Sequence, residues 1–181
     1  MPAEHSLRHV LNRSTRCLAQ ADVPYALVGA WALAVWGRVR ATHDLDFLVM
    51  ANEGDLDRLA IRMAQAGMEV DSSWLDANPW LRGDQIRLQC RDVAIDLMRP
   101  RDAQDLQALR RRRRKRLEGR YYWFVSAEDL ILQKIKVGRP RDFDDALSIV
   151  ERGQGTLNRP YLRRWAGTLG VSSELRYLFG R

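Results

Sequence analysis

One short stretch narrows the folds open to this chain more than any other. Tyr25-Ala26-Leu27-Val28 is an apolar run of strand length, Gly29 follows as a turn residue, and Ala30 to Trp36 is an apolar helical segment stopped by Gly37. A second strand, Leu45 to Met50, opens on two carboxylates, Asp44 and Asp46. Strand side chains alternate, so Asp44 and Asp46 share a face with their Cα atoms about 7 Å apart. Carboxylates so placed suit a hard cation. A glycine turn beside them exposes backbone N–H groups to phosphate. The combination points to metal-assisted chemistry on a nucleotide.

The rest of the chain supplies a sheet and helices around this unit. Apolar positions at Leu7, Val10, Leu11 and Leu18 predict a helix from Ser6 to Ala21. Another helix runs from Glu53 to Ala66, closed by Gly67, with Met68 to Val70 as a short strand. Residues 71–84 carry no clear period; Trp74, Pro79 and Trp80 are expected to pack over a sheet edge. Ile86 to Cys90 alternates, Arg91-Asp92 turns, and Val93 to Met98 runs back, which is a hairpin pattern. Asp102 to Leu117 is expected to be one helix. Tyr121 to Val125 is an aromatic strand, and Ser126, three residues before Asp129, is a helix N-cap. Gly138-Arg139-Pro140 separates that helix from the next, over Asp142 to Glu151, and two short helices follow within Arg159 to Phe179. The expected fold class is α+β: a small mixed β-sheet flanked by helices. Residues 1–125 form the core, and residues 126–181 form a helical extension packing on it.

Composition limits the function classes. A hydrophobic share of 46% with 29% charged residues is that of a globular domain, and no apolar run approaches the roughly 18 residues of a membrane span. Met1-Pro2-Ala3-Glu4-His5 has no apolar signal core, so the expected location is cytoplasmic. Cys17, Cys90 and the three histidines are too scattered for a zinc pattern. The net charge of +7 has a local source, Arg110, Arg111, Arg112, Arg113, Arg114, Lys115 and Arg116. Taking those seven from the 30 Lys and Arg leaves as many cations as the 23 Asp and Glu. A run of this density attracts polyanions, RNA above all, through phosphate contacts and counterion release; read plainly, it is a solvated surface segment.

Asp96 lies mid-strand among Val93, Ile95, Leu97 and Met98, where an uncompensated carboxylate is costly. Either an arginine or a backbone N–H caps it, or a cation shared with Asp44 and Asp46 compensates it. Three carboxylates together with phosphate oxygens make the oxygen-rich environment that Mg²⁺ prefers.

These pieces in this order, Gly29-Ala30-Trp31, Arg40-x-Thr42-x-Asp44-x-Asp46, then Asp96, resemble the polymerase-beta-like nucleotidyltransferase superfamily. The nearest branch is the small bacterial one that includes AbiEii-like toxins of toxin–antitoxin systems. Glu128-Asp129-Leu130 to Lys134, then Arg139-Pro140-Arg141-Asp142-Phe143-Asp144-Asp145, is similar to that branch's downstream helical segment. The resemblance implies that Asp44, Asp46 and Asp96 hold metal, with Asp96 drawing the proton from an acceptor hydroxyl. It places the phosphate turn at Gly29 and Ala30, lets Arg40 brace Asp44 and Asp46 or touch phosphate, and has Lys134 reach the triphosphate while Asp142 shapes the site. Read plainly, Lys134 is an exposed helix lysine, and Arg139, Arg141, Asp142, Asp144 and Asp145 form a solvated ion-pair network. Many family members carry a hydroxyl residue in the turn where this chain has Ala30-Trp31, which leaves phosphate to the backbone N–H groups.

The implied activity is Mg²⁺-dependent transfer of a nucleoside monophosphate from an NTP to an acceptor. The acceptor classes are RNA such as a tRNA 3′ end, a protein hydroxyl in a toxin–antitoxin pair, and a small molecule such as an antibiotic. The competing class is a non-catalytic nucleotide-binding or RNA-binding module on the same fold.

Overall fold

A computed structural model describes residues 3–52 and 54–180, with side chains described from residue 7 onward. Helix α1 (Ala3–Gln20) buries Val10, Leu11 and Leu18, an apolar stripe at helical spacing. The chain then enters β1 (Tyr25–Leu27), turns into α2 (Gly29–Trp36) and returns along β2 (Asp44–Val49). Helix α2 is apolar on every side, and it is sandwiched between β2 and the later helices accordingly. Helix α3 (Asp55–Gln65) covers the sheet with Leu56, Leu59, Ala60 and Met63; the predicted first residue of this helix, Glu53, lies outside the described residues. Next come β3 (Glu69–Val70), α4 (Ser72–Ala77) and a 3₁₀ turn at Pro79–Leu81.

The hairpin of β4 (Gln85–Cys90) and β5 (Val93–Met98) is in the predicted register, with Arg91 in the left-handed region at φ 56°. Helix α5 (Ala103–Arg110) is capped by Asp102, whose carboxylate accepts from the Gln104 and Asp105 N–H groups. The predicted helix through Leu117 does not form. The chain leaves α5 at Arg110, and Arg113–Leu117 is a strand, β6, paired antiparallel with β7 (Arg120–Phe124). A helix would stack seven like charges at three- and four-residue spacing, which is destabilising. In a strand they alternate between two faces, and Glu118-Gly119, both at positive φ (47° and 84°), closes a two-residue hairpin turn.

Among the described residues, seven strands form one mixed sheet in the order β3-β4-β5-β2-β1-β7-β6. The central strand β2 is parallel to β5 and antiparallel to β1, and β1 is parallel to β7. Phe47, Phe124, Leu27, Leu45, Leu88 and Ile95 are fully buried along it. Helices α6 (Ala127–Val137), α7 (Pro140–Arg152), α8 (Arg159–Leu169) and α9 (Ser172–Phe179) complete the chain, and α6 and α7 pack on α2. Ser126 caps α6 by accepting from the Asp129 N–H, as its sequence pattern predicts. No helix among the described residues is long and apolar enough to cross a membrane.

Candidate active site

The antiparallel pairing of β1 with β2 brings the end of one strand against the start of the other. The Val28 N–H donates to the Asp46 carbonyl at 3.0 Å, pinning the turn to β2. Gly29 opens α2 at φ 58°, and a Cβ placed there would lie 2.1 Å from Asp46 Oδ2. Two constraints therefore demand glycine at this position: the left-handed backbone and the Asp46 carboxylate resting against its Cα. The first N–H groups of α2, which no turn of helix precedes, belong to Gly29 and Ala30.

Asp44 is exposed at the start of β2, and Asp46 is half-buried on the same face. The Asp44 main chain is held at both ends: its N–H donates to Thr42 Oγ1 at 3.2 Å, and Trp31 Nε1 donates to its carbonyl at 3.2 Å. Trp31 thus helps to fix the Asp44 backbone. Its ring also lines a cleft of about 610 Å³ with Ala30, Arg40, Thr42, His43 and residues of other elements. A cavity of about 760 Å³ lined in part by Gly153, Gln154 and Gly155 shares no lining residue with this cleft.

Asp96 stands directly beside Asp46 in the parallel β2–β5 register. It is buried and paired with Arg87, its cross-strand neighbour on β4; Nε donates to Oδ1 at 2.8 Å and Nη2 to Oδ2 at 2.6 Å. The Arg87 guanidinium lies 4.6 Å from the centre of the Trp74 ring. Burial, followed by the charges of Asp96 and Asp44, pushes the Asp46 carboxyl up to about 6, against the pull of Arg87 and Lys134. Three carboxylates thus lie on the adjacent strands β2 and β5, with Arg87 flanking Asp96 on the side away from Asp46.

Among the described residues, no three His, Cys, Asp or Glu side chains converge as a ready-made metal cage. Arg87 engages both oxygens of Asp96, which leaves Asp44 and Asp46 as the carboxylates free of an arginine. The donor set nonetheless fits a hard divalent cation: the oxygens are all carboxylate, and the charges of Asp96 and Asp44 add to the burial that raises Asp46.

Lys134 is buried on α6, not exposed, and donates to Asp142 at 2.8 Å and Asp145 at 2.9 Å, both on α7. Asp145 also accepts from Arg38 at 2.9 and 3.1 Å, and Asp142 accepts from Arg139 at 2.8 Å. The network read as solvated is therefore interior at its centre, with Asp142 at 1% and Asp145 at 0% exposure. Arg40 faces it rather than bracing Asp44 and Asp46: its buried Nε has no hydrogen-bond partner and lies 3.6 Å from Asp145 Oδ2. Lys134 is close enough to lower the Asp46 carboxyl, so the network borders the carboxylate cluster.

Arg87 and Arg38 join the site without a signal of their own in the sequence, and Trp74 and Asp145, expected only as edge packing and as part of a solvated network, join it too. Arg87 was within reach, since counting back from the two-residue Arg91-Asp92 turn puts it opposite Asp96. Asp145 and Arg38 meet only through the packing of α7 on the loop after α2.

No protein-family model and no curated protein matches the sequence. Solved structures do share its architecture. The antibiotic-resistance factor ANT(2'')-Ia superposes with a TM-score of 0.59 at 13% identity, over 93% of this chain and 95% of that one. The lincomycin-bound lincosamide antibiotic adenylyltransferase LnuA gives 0.55 at 13% identity, over 81% of this chain and 95% of that one. An antigenic nucleotidyltransferase-like protein from Paracoccidioides brasiliensis gives 0.51 at 17% identity, over 95% and 93% of the two chains. At such identities the likeness establishes the fold, which is the α+β nucleotidyltransferase fold that the sequence resemblance implied.

Proposed function

We propose that this chain is a nucleotidyltransferase, moving a nucleoside monophosphate from an NTP to an acceptor hydroxyl and releasing pyrophosphate, with Mg²⁺ as cofactor. The observation that carries the reading is the clustering of Asp44, Asp46 and Asp96 against the Gly29 turn. Asp44, Asp46 and Asp96 would hold the metal, which when bound neutralises phosphate oxygens and makes the attacking hydroxyl more acidic.

The chain's own residues account for the remaining tasks. The Gly29 and Ala30 N–H groups, at the positive end of α2, hold the triphosphate. Trp31 fixes the Asp44 backbone and forms one wall of the acceptor cleft. Asp96 accepts the proton of the acceptor hydroxyl, whose oxygen forms a bond to the α-phosphorus as the bond from that phosphorus to the bridging oxygen breaks. The electron pair of the broken bond leaves on pyrophosphate. For Asp96 to act, Arg87 must release one of its two oxygens. Lys134 supplies positive potential from behind, tuned by Asp142 and Asp145.

Arg87's hold on both Asp96 oxygens also favours a second reading, a nucleotide-binding module without turnover. One experiment separates the two. The protein is incubated with each α-labelled NTP and Mg²⁺, and separately with total RNA, with cell protein or with buffer, beside an Asp44→Ala/Asp46→Ala control. Label incorporated into one fraction, and lost in the control, supports transfer and identifies the acceptor. The protein fraction reports on a toxin–antitoxin partner. NTP binding with no incorporation anywhere supports the module.

A further inference from the structure

The basic run is uniform in sequence but not in structure. Arg111 is structural: it pairs with Glu128 at 3.2 Å and Asp129 at 3.3 Å and stacks 3.8 Å from the centre of the Tyr161 ring. Arg112 donates to the Leu109 carbonyl and packs over Trp123. Arg113, Arg114, Lys115 and Arg116 are different. They are consecutive exposed residues of β6, the last strand of the sheet, and among the described residues no carboxylate lies within ion-pair distance of any of them. Two are shelved on aromatic rings, Arg114 at 4.8 Å from the Tyr121 ring centre and Lys115 at 4.8 Å from that of Trp36. Tyr121 is itself 58% exposed.

Cations on an edge strand guard it against pairing with another sheet. That purpose does not call for four in succession, nor for an exposed aromatic ring beside them. Cationic groups interleaved with accessible rings are what a single-stranded nucleic acid needs: the charges follow its phosphates and the rings stack on its bases. The strand also leads somewhere. Its last residue, Leu117, and the turn residue Glu118 line the same cleft as Ala30, Trp31, Thr42 and His43. By register the Arg113 end of the strand is the one level with the phosphate turn, since Arg113 pairs with Phe124 and Phe124 with Leu27, while its Leu117 end borders the cleft.

We infer that the β6–β7 hairpin is a docking track for a single-stranded nucleic acid whose terminal hydroxyl enters the Trp31 cleft as the acceptor. The acceptor assignment rests on the proposed nucleotidyl transfer; the docking does not. Sequence is not read by this surface, because its contacts are to phosphates and to ring faces that every base offers.

The test measures binding in EDTA without NTP, so that catalysis plays no part. A short dye-labelled single-stranded RNA and the DNA of the same sequence are titrated with full-length protein across a series of KCl concentrations, read by fluorescence anisotropy. The four side chains alternate between the two faces of β6 and are all within reach along its free edge, where four phosphate contacts contribute about 3 to the slope of log K against log [salt] for a single strand. Arg113→Gln/Arg114→Gln/Lys115→Gln/Arg116→Gln should lower the slope by about that much and weaken binding on the order of 10²- to 10³-fold at 0.1 M KCl. Arg113→Gln/Arg116→Gln keeps both ring-stacked cations and guards against a folding defect; it should lower the slope by about 1.4. Arg16→Gln/Arg58→Gln/Arg62→Gln/Arg163→Gln removes the same net charge from exposed positions elsewhere and should leave the slope within about one of the parent. Equal effects of the hairpin and control variants would overturn the docking. Equal slopes for RNA and DNA would support backbone recognition, and an RNA preference would support added contact to the 2′-hydroxyl. If the hairpin variants still pass label from NTP to an acceptor as fast as the parent, the hydroxyl does not arrive along this strand and the acceptor assignment falls. Absence of transfer to any acceptor would instead refute the proposed activity and leave the salt slopes untouched.

Discussion

Substituting Gly29 separates two costs that usually come together. Gly29→Ala would place a Cβ 2.1 Å from Asp46 Oδ2 on a backbone at φ 58°. The backbone term alone is about 1–2 kcal/mol for an L-residue in the left-handed region. Gly83→Ala supplies the reference, because Gly83 sits at φ 82° with nothing within 4 Å of the added atom. Gly83→Ala should therefore cost about 1–2 kcal/mol, or roughly 2–8 °C in Tm for a chain of this size, and leave nucleotidyl transfer unchanged. Gly29→Ala should carry the same backbone cost plus displacement of the Asp46 carboxylate, and it should lose activity and Mn²⁺ affinity. The contact is isolated by a double-mutant cycle, in which Asp46→Ala relieves the clash so that the two substitutions are less destabilising together than their sum. Thermal unfolding, Mn²⁺ titration and label incorporation on the same preparations provide the readouts. Additive destabilisation, or a Gly29→Ala protein that binds Mn²⁺ like the parent, would refute the claim that glycine is present to admit Asp46.

Further outcomes follow from the charges. A carboxyl raised from 3.8 to about 6 in the folded protein costs stability as pH rises from 4 to 6, because the unfolded chain gives up its proton first. Metal-free Asp46→Asn should therefore be more stable than the parent at neutral pH, by up to about 3 kcal/mol, with the advantage shrinking as pH falls from 6 to 4; urea unfolding in EDTA across that range checks it. Lys134→Met would leave the buried Asp142 and Asp145 short of their shared cation and should cost about 3–5 kcal/mol, seen as a lower urea midpoint. Asp96→Asn keeps an acceptor for Arg87 but no base, so kcat should fall about 10²- to 10⁴-fold, read by label incorporation at saturating NTP.

What the sequence made legible was local. The Gly29 turn, the shared face of Asp44 and Asp46, the β4–β5 hairpin and the Ser126 cap each rest on two-residue alternation or on turn and cap chemistry within a few positions. What it concealed depended on distant parts of the chain. The basic run looked helical because α5 flows into it without a proline or glycine; only Glu118-Gly119 and the aromatic strand beyond marked it as half of a hairpin. Lys134 looked exposed because its two partners lie across the Gly138 reversal, on a helix whose packing no local pattern reveals. For Asp96 the sequence leaves open a cap by an arginine, a cap by a backbone N–H, or a shared cation. The fold provides the cap in Arg87 and, by the same register, sets Asp96 beside Asp46.

The central claim is that the α-phosphorus of an NTP is the atom attacked at the Asp44–Asp46–Asp96 cluster. Parallel reactions with α-labelled and γ-labelled NTP, Mg²⁺ and a single-stranded RNA acceptor address it directly. The account predicts α-label covalently on the acceptor, γ-label in pyrophosphate in equal amount, and neither product from Asp44→Ala/Asp46→Ala. Transfer of γ-label to the acceptor, or equal α-label incorporation by the double variant, would contradict it.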